Sequence, residues 1–350
     1  MNPLEHIYLA GHRYKTMRDL GRQKRLSVPV ISVGNITTGG TGKTPAVIAV
    51  AREARARGLG PCVLTRGYGG RLRGPVFVSE ENYAGDVGDE PLLIASRLHD
   101  VPVVKCPDRH EGGMFAIENL ENRPDLFILD DGFQHRRLHR DMDVVLISAN
   151  DPFGGNRLLP LGRLREPLDG LSRSGALVIT KAGPDDESTI NRIKADLRKY
   201  NKDAPMFVSR HGASGVLLGL AQHERPSQRN RPLEPVDWLK GRRVYAFCAI
   251  GEPESFVRSL RESGAVIAGT RFLRDHHRFR PSDIKSVSGS AASSGAHWIM
   301  TTEKDIMRLR AIMEPPSNFA ALSIDFKAEH GFYDHIFDFC QGVQCSDIST

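Results

Sequence analysis

Short apolar runs alternate with helical stretches along most of this chain. Val28–Val33 reads as a strand and Lys43–Arg57 as a helix that Gly58 stops. Cys62–Thr65 then reads as a strand, Glu90–Leu98 as a helix, Val101–Val104 as a strand and His110–Leu120 as a helix. Leu126–Leu129, Val144–Ile147 and Ala176–Ile179 are further strands, each an unbroken apolar run. Such runs are expected where both faces of a strand are buried, as in a parallel sheet covered by helices. The pattern therefore predicts an α/β fold with a doubly wound, mostly parallel sheet. Residues 222–235 (QHERPSQRNRPLEP) carry no apolar period and read as a linker. Beyond them the alternation resumes in Val244–Ala249, a helix Glu254–Ser263, Val266–Ala268, Trp298–Met300 and Ala320–Ile324. The predicted division is an N-terminal helical segment at 1–25, a larger unit at 26–221, the linker, and a smaller α/β unit at 236–350.

Composition narrows the classes this pattern leaves open. With 40% apolar residues in 350, the chain has the material for a buried core, which excludes global disorder. No stretch approaches the roughly 18 apolar residues of a membrane-spanning helix. The charged N-terminal stretch does not read as a secretory signal. The cysteines (Cys62, Cys106, Cys248, Cys340 and Cys345) are odd in number and form no CxxC pair, which points to a reducing compartment.

The net charge of +6 matters less than its location. Arg13, Lys15, Arg18, Arg22, Lys24 and Arg25 face only Glu5 and Asp19 within residues 1–28, a local excess of +4. In the same segment Leu4, Ile7, Tyr8, Tyr14, Met17 and Leu20 recur at helical spacing. Such a helix suits an anionic membrane surface, and equally a place on the protein's own core. No aromatic interleaving or known module points to nucleic acid, and none is expected as a partner.

The strongest chemical signal is Thr37-Thr38-Gly39-Gly40-Thr41-Gly42-Lys43-Thr44, between the first strand and the first long helix after it. It follows the phosphate-loop pattern G-x-x-x-x-G-K-[ST], with Thr37 in place of the first glycine. Backbone N–H groups of such a loop cradle phosphate oxygens at the positive end of a helix. Lys43 would then meet the β- and γ-phosphates, and the Thr44 hydroxyl would ligate Mg²⁺. This predicts a P-loop NTPase-type fold binding a nucleoside triphosphate. Leu126–Leu129 ends in Asp130-Asp131-Gly132, which would project carboxylates beside the loop at the ligand-binding end of the sheet.

A kinase also needs a group that receives its acceptor's hydroxyl proton. Asp89, just before a helix, fits that role or that of a simple N-cap. Asp275-His276-His277 reads as a base with its orienting partner, a metal fragment or a solvated turn; Arg271, Arg274, Arg278 and Arg280 surround it and suit an anionic substrate. Without an acceptor group, the same phosphate loop would serve an ATPase switch that binds a partner protein.

Taken together, several motifs become recognisable in one order. They are Gly34-Asn35 with the phosphate loop, Arg66-Gly67-Tyr68-Gly69, Val87-Gly88-Asp89-Glu90-Pro91, Asp130-Asp131-Gly132-Phe133-Gln134-His135, Leu164-Arg165-Glu166-Pro167 and Asp275-His276. The chain resembles the tetraacyldisaccharide 4′-kinase family, the lipid A 4′-kinases of Gram-negative bacteria, and Thr at the loop's first position is similar to that family too. The resemblance implies transfer of the γ-phosphate of ATP to the 4′-hydroxyl of a tetraacylated glucosamine disaccharide 1-phosphate. It implies Lys43 and Thr44 on ATP and Mg²⁺, with Asp130, Asp131 and Glu166 near the metal and phosphates. It implies Asp89 as the base with His276 as its partner, Tyr68, Arg109 and Asp275 lining the site, and Gln134 supporting it. It also implies peripheral attachment to the cytoplasmic face of the inner membrane, which favours the membrane placement of the N-terminal helix.

Overall fold

Asn2 opens the chain's first helix by accepting from the Leu4 N–H while Glu5 reaches back to the Asn2 N–H, a reciprocal cap. The computed structural model describes residues 2–79, 81–183, 186–218, 233–275 and 277–338. In chain order the elements are α1 (Pro3–Leu20), β1 (Val30–Gly34), α2 (Lys43–Ala56), β2 (Pro61–Thr65), β3 (Val76–Phe77), α3 (Ala84–Val87), α4 (Asp89–Arg97), β4 (Val103–Lys105), α5 (Arg109–Asn119), β5 (Leu126–Asp130) and β6 (Met142–Ser148). There follow β7 (Ala176–Thr180), α6 (Glu187–Leu197), β8 (Met206–Leu217), β9 (Arg243–Cys248), α7 (Pro253–Glu262), β10 (Val266–Phe272), α8 (Pro281–Ser293), β11 (Trp298–Thr302), α9 (Glu303–Leu309), β12 (Phe319–Ala328) and α10 (Phe332–Phe337).

The strands form one sheet in the order β10-β9-β11-β12-β8-β7-β6-β1-β5-β2-β4-β3. Pairing is parallel except at β3 with β4 and at β8 with β12. Residues of alternate parity on the central strands feed two cores: Ile31, Val63, Ile128 and Val144 meet α2 and α4, while Val145, Leu177 and Ile179 meet α6. Helices therefore cover both faces, which is why these strands read as continuous apolar runs.

The C-terminal strands, expected as a separate smaller unit, continue this sheet through β8. Its first residues, Met206–Val208, pair in parallel with β7, and Ser209–Leu217 pair antiparallel with β12. The apolar pattern gave no warning of β8, because its run Ser209-Arg210-His211-Gly212-Ala213-Ser214-Gly215 is polar and glycine-rich. The expected linker lies outside the described residues as far as residue 232; near its end, Glu234 exchanges both backbone hydrogen bonds with Val216 at 2.9 Å.

Helix α1 divides the stripe that its sequence suggested. Tyr8 and Leu9 pack on the core cluster that holds Ile36, Phe133 and Leu158, and the Tyr8 hydroxyl donates to the Arg165 carbonyl at 2.7 Å. Glu5 is buried and accepts from the Leu158 N–H. Ile7, Tyr14 and Met17 remain 70%, 71% and 74% exposed, with Leu4 and Leu20 half exposed beside them. The helix is thus fixed to the body by one face and presents an apolar row on another. Among the described residues, no helix is long and apolar enough to cross a membrane.

Candidate active site

The phosphate loop joins the end of β1 to α2, and Gly42 is the hinge of that turn. Its φ of 84° lies in the left-handed region, and a Cβ there would run into the His211 ring. Gly39 is also left-handed, with φ at 110°, and is closed over by the Arg163 guanidinium, whose Nε and Nη2 donate to the Thr38 carbonyl at 3.1 and 2.9 Å. Thr37 needs no such freedom: it pairs with Leu164 as an isolated antiparallel bridge, so a side chain at the loop's first position fits. The Thr41 carbonyl accepts from the Thr180 hydroxyl at 3.0 Å, and buried Asn35 donates to the Thr41 hydroxyl at 2.9 Å. Asn35 also accepts from the Lys43 ammonium at 3.4 Å, so the lysine is aimed before any ligand arrives.

Strand β5 delivers Asp130 and Asp131 to the same place. Asp130 is buried, accepts from the Thr65 hydroxyl at 3.0 Å, and has its carboxyl pushed up to about 7 by burial together with Glu90 and Asp131 nearby. Asp131 sits at φ 51°, a left-handed position that Asp tolerates, which turns its carboxylate to the loop lysine at 3.6 Å. Arg165 Nη1 reaches both Asp131 oxygens at 2.8 Å; burial opposes ionisation of Asp131, but Lys43 and Arg165 outweigh it and hold its carboxyl below the usual range. Gln134 ties these pieces together, donating to the Asn35 carbonyl at 2.7 Å and to Glu166 at 2.8 Å.

Glu166 lies behind this group. It is buried, and its carboxylate is occupied by Arg173 Nη2 at 2.8 Å as well as by Gln134, with Arg136 at 3.6 Å. In this arrangement it orients Gln134 and two arginines around the group that the resemblance places near the metal and phosphates. Arg109, the first residue of α5, is buried at the cleft wall, and burial pushes its guanidinium down to about 10. Tyr68 is exposed on the cleft rim.

These groups line a cleft of about 1260 Å³ that runs from α1 past the phosphate loop to the C-terminal strands. Asp89 is the first residue of α4, follows Gly88 at φ 101°, and is only 7% exposed. Its Oδ1 accepts from the Glu90 N–H at 3.0 Å, while Gly88 holds the N-cap position and Glu90, the next residue, lines the cleft. Asp275 and Lys304 border the cleft from the C-terminal side. His276 lies outside the described residues. Its neighbour His277 is engaged elsewhere, 3.0 Å from Asp283 at the start of α8 and edge-on to Phe279.

Sequence reasoning gave no role to Asn35, Arg165, Lys304 or Arg308, the last two on α9. Asn35 and Arg165 stand inside motifs already singled out, so their position was the available signal; for the α9 pair there was none.

A model of the family described as tetraacyldisaccharide-1-P 4′-kinase (LpxK) matches residues 1–341. The chain belongs to the tetraacyldisaccharide 4′-kinase family. It is 39% identical over 290 residues to the tetraacyldisaccharide 4′-kinase of Anaeromyxobacter dehalogenans (strain 2CP-C), covering 81% of this chain and 73% of that one. To the enzyme of Syntrophus aciditrophicus it is 38% identical over 323 residues, covering 90% of this chain and 85% of that one. Among solved structures, LpxK from Aquifex aeolicus in complex with ATP superposes with a TM-score of 0.72 at 31% identity, covering 96% of this chain and 97% of that one. The protein is a tetraacyldisaccharide 4′-kinase of lipid A biosynthesis, and the fold is the α/β architecture of that family.

Proposed function

We propose that this kinase works in the cleft between its phosphate-loop lobe and a smaller C-terminal lobe divided from it at β8. There it uses Asp89 as proton acceptor toward the 4′-hydroxyl of a tetraacylated disaccharide 1-phosphate. The observation that carries the reading is that Glu90, next to Asp89 on α4, and Lys304, 3.9 Å from Asp89 Oδ2, line one continuous cleft with the phosphate loop. ATP is the donor: a solved relative carries it, and Thr38–Thr44 have the loop geometry for its phosphates. As the acceptor oxygen forms its bond to the γ-phosphorus, the bond from that phosphorus to the β,γ-bridging oxygen breaks and the hydroxyl proton passes to Asp89. Phosphoryl transfer has a loose transition state, so positioning and charge neutralisation supply most of the acceleration. Lys43, already aimed by Asn35, neutralises charge on the transferring group.

Mg²⁺ fits this donor set. Among the described residues no three His, Cys, Asp or Glu side chains converge, which disfavours an all-protein cage. Mg²⁺ characteristically takes one or two carboxylates and completes its shell with phosphates and water. Asp130, buried and crowded by Glu90 and Asp131, is a carboxylate that a divalent cation would relieve, with Asp131 beside it and Thr44 lining the same cleft. When bound, the ion would neutralise phosphate charge.

The exposed row Leu4, Ile7, Tyr14, Met17 and Leu20 on α1 supports attachment to an anionic membrane surface at the cytoplasmic face of the inner membrane, where an acylated substrate resides. His276 is the proposed partner of Asp89. The test is a phosphorylation assay in detergent micelles with Mg-ATP and tetraacyldisaccharide 1-phosphate, following product by mass. The expected result is one added phosphate at the 4′ position, lost in both Lys43→Ala and Asp89→Asn, with ATP binding kept in Asp89→Asn. Near-full activity in Asp89→Asn would refute the base assignment.

A further inference from the structure

Asp89 belongs to the phosphate-loop lobe, yet two cations at ion-pair distance from it among the described residues come from the other one. Helix α9, which follows β11, faces α4 and sends two side chains to it. Arg308 Nε stands 3.6 Å from Asp89 Oδ2, and Lys304 Nζ stands 3.9 Å from the same oxygen. Neither cation floats. Lys304 also donates to Glu90 at 3.0 Å. Arg308 donates to the Ala249 carbonyl at 2.8 Å, lies 5.3 Å from the Phe279 ring, and is paired with Asp305. Asp305 is itself fully buried and fixed by the Thr302 hydroxyl at 2.7 Å and the Ala249 N–H at 3.2 Å.

We infer that Lys304 and Arg308 are positioning residues for the proton acceptor, holding Asp89 ionised and its Oδ2 in place, so that the acceptor is complete only when the C-terminal lobe is seated against α4. The inference rests on the reading of Asp89 as the proton acceptor. A carboxylate that must receive a proton has to begin ionised, and an opposite charge within about 4–6 Å favours the ionised form. Burial of Asp89 works the other way, and the two cations at this range oppose it. The charged groups around Asp89 among the described residues are Glu90 on its own helix and Lys304 and Arg308 on α9, with Asp305 paired to Arg308 and Asp275 adding negative charge beside Lys304. The distances also suit a proton acceptor. At 3.6 and 3.9 Å the two cations supply charge to Oδ2 at ion-pair distance.

The experiment uses the full chain and four variants: Lys304→Met and Arg308→Gln, which remove charge, and Lys304→Arg and Arg308→Lys, which keep it. Two quantities are read: the acid limb of the kcat profile against pH, and the titration of the Asp89 carboxyl carbon in protein labelled at aspartate with ¹³C, assigned by its loss in Asp89→Asn. Removing either charge should raise both midpoints by about one pH unit, and the charge-keeping variants should stay near the parent. A purely structural role would lower kcat at every pH and leave both midpoints where they were. An unmoved titration in Lys304→Met and Arg308→Gln overturns the inference alone. A titration that moves while the acid limb stays fixed overturns Asp89 as the proton acceptor and the inference with it. Should Arg308→Gln fail to fold, Lys304→Met carries the same test.

Discussion

Arg97, at the opposite end of α4 from Asp89, joins α4 to α9 and β12, and its removal tests how firmly these elements are coupled. Its Nη1 donates to both Glu303 oxygens at 2.9 Å and its Nη2 to Asp325 at 2.6 Å, with Ser323 bound as well. The Arg97 and Glu303 side chains are 11% and 10% exposed. In Arg97→Met, Asp325 still has Arg52 at 3.8 Å, but Glu303 keeps no cation at ion-pair distance among the described residues. Breaking a buried pair by removing one partner costs about 3–5 kcal/mol, whereas replacing both by apolar groups is often neutral. Arg97→Met should therefore lose about 3 kcal/mol, and Arg97→Met with Glu303→Met should come back to within about 1 kcal/mol of the parent.

The pH dependence fixes the cause. Burial already holds the Glu303 carboxyl above its ordinary value, with Arg97 opposing that rise. Without Arg97 the rise is larger, so the folded protein takes up a proton on Glu303 more readily than the unfolded chain does. A raised carboxyl gives up stability as pH climbs through its folded value. The deficit of Arg97→Met should be greatest at pH 8 and shrink toward pH 5. Urea unfolding measures it, and both tryptophans, Trp238 and Trp298, meet edge-to-face with centroids 4.9 Å apart beside the C-terminal strands, so their fluorescence reports that region while far-ultraviolet dichroism reports the whole chain. A deficit below about 1 kcal/mol, as for an exposed pair, or one equal at the two pH values, would refute the reasoning.

Three further outcomes follow from the site and the N-terminal helix. Asp130→Asn should abolish Mg-dependent transfer yet raise the urea midpoint of the ligand-free protein at pH 8 and leave it nearly unchanged at pH 4, because a carboxyl raised to about 7 costs stability once pH passes its unfolded value and rises through the folded one. Gly42→Ala should weaken ATP binding by about tenfold or more, roughly 1.4 kcal/mol, in a calorimetric titration, since it meets both a left-handed backbone and the His211 ring. Replacing Ile7, Tyr14 and Met17 together by Ser should reduce flotation with anionic vesicles while the melting temperature holds, as these side chains are exposed and the anchors of α1 are Glu5, Tyr8 and Leu9. Unchanged flotation would return that row to an ordinary solvated face.

What was legible in the sequence is what short spacing encodes. The phosphate loop is contiguous, and a strand running directly into Asp130-Asp131-Gly132 announces itself by an apolar run and a turn. The parallel strands themselves were legible as the same runs, since a strand buried on both faces has no polar alternation to hide it, whereas their order in the sheet was not. Strand β8 was hidden because it is a junction. It pairs in opposite senses with its two neighbours and passes beside the phosphate loop, so it carries His211, Gly212 and Gly215 where an ordinary core strand would carry Val or Ile. Helix α9 was hidden for a different reason: Lys304 meets Glu90 across a separation of 214 residues, and no local pattern marks a cation whose partner is that remote. The two omissions have a common consequence. β8 makes the C-terminal strands part of the same sheet, and α9 uses that continuity to set Lys304 and Arg308 against Asp89 and Glu303 against Arg97. The ends of α4 are thereby tied to α9 and β12 by two ion-pair clusters, one buried around Arg97, the other beside Asp89, the proposed proton acceptor. A substitution that loosens the first should therefore reach the second: Arg97→Met should lower kcat more than it weakens ATP binding, because the phosphate loop is held by Asn35, Arg163 and Thr180.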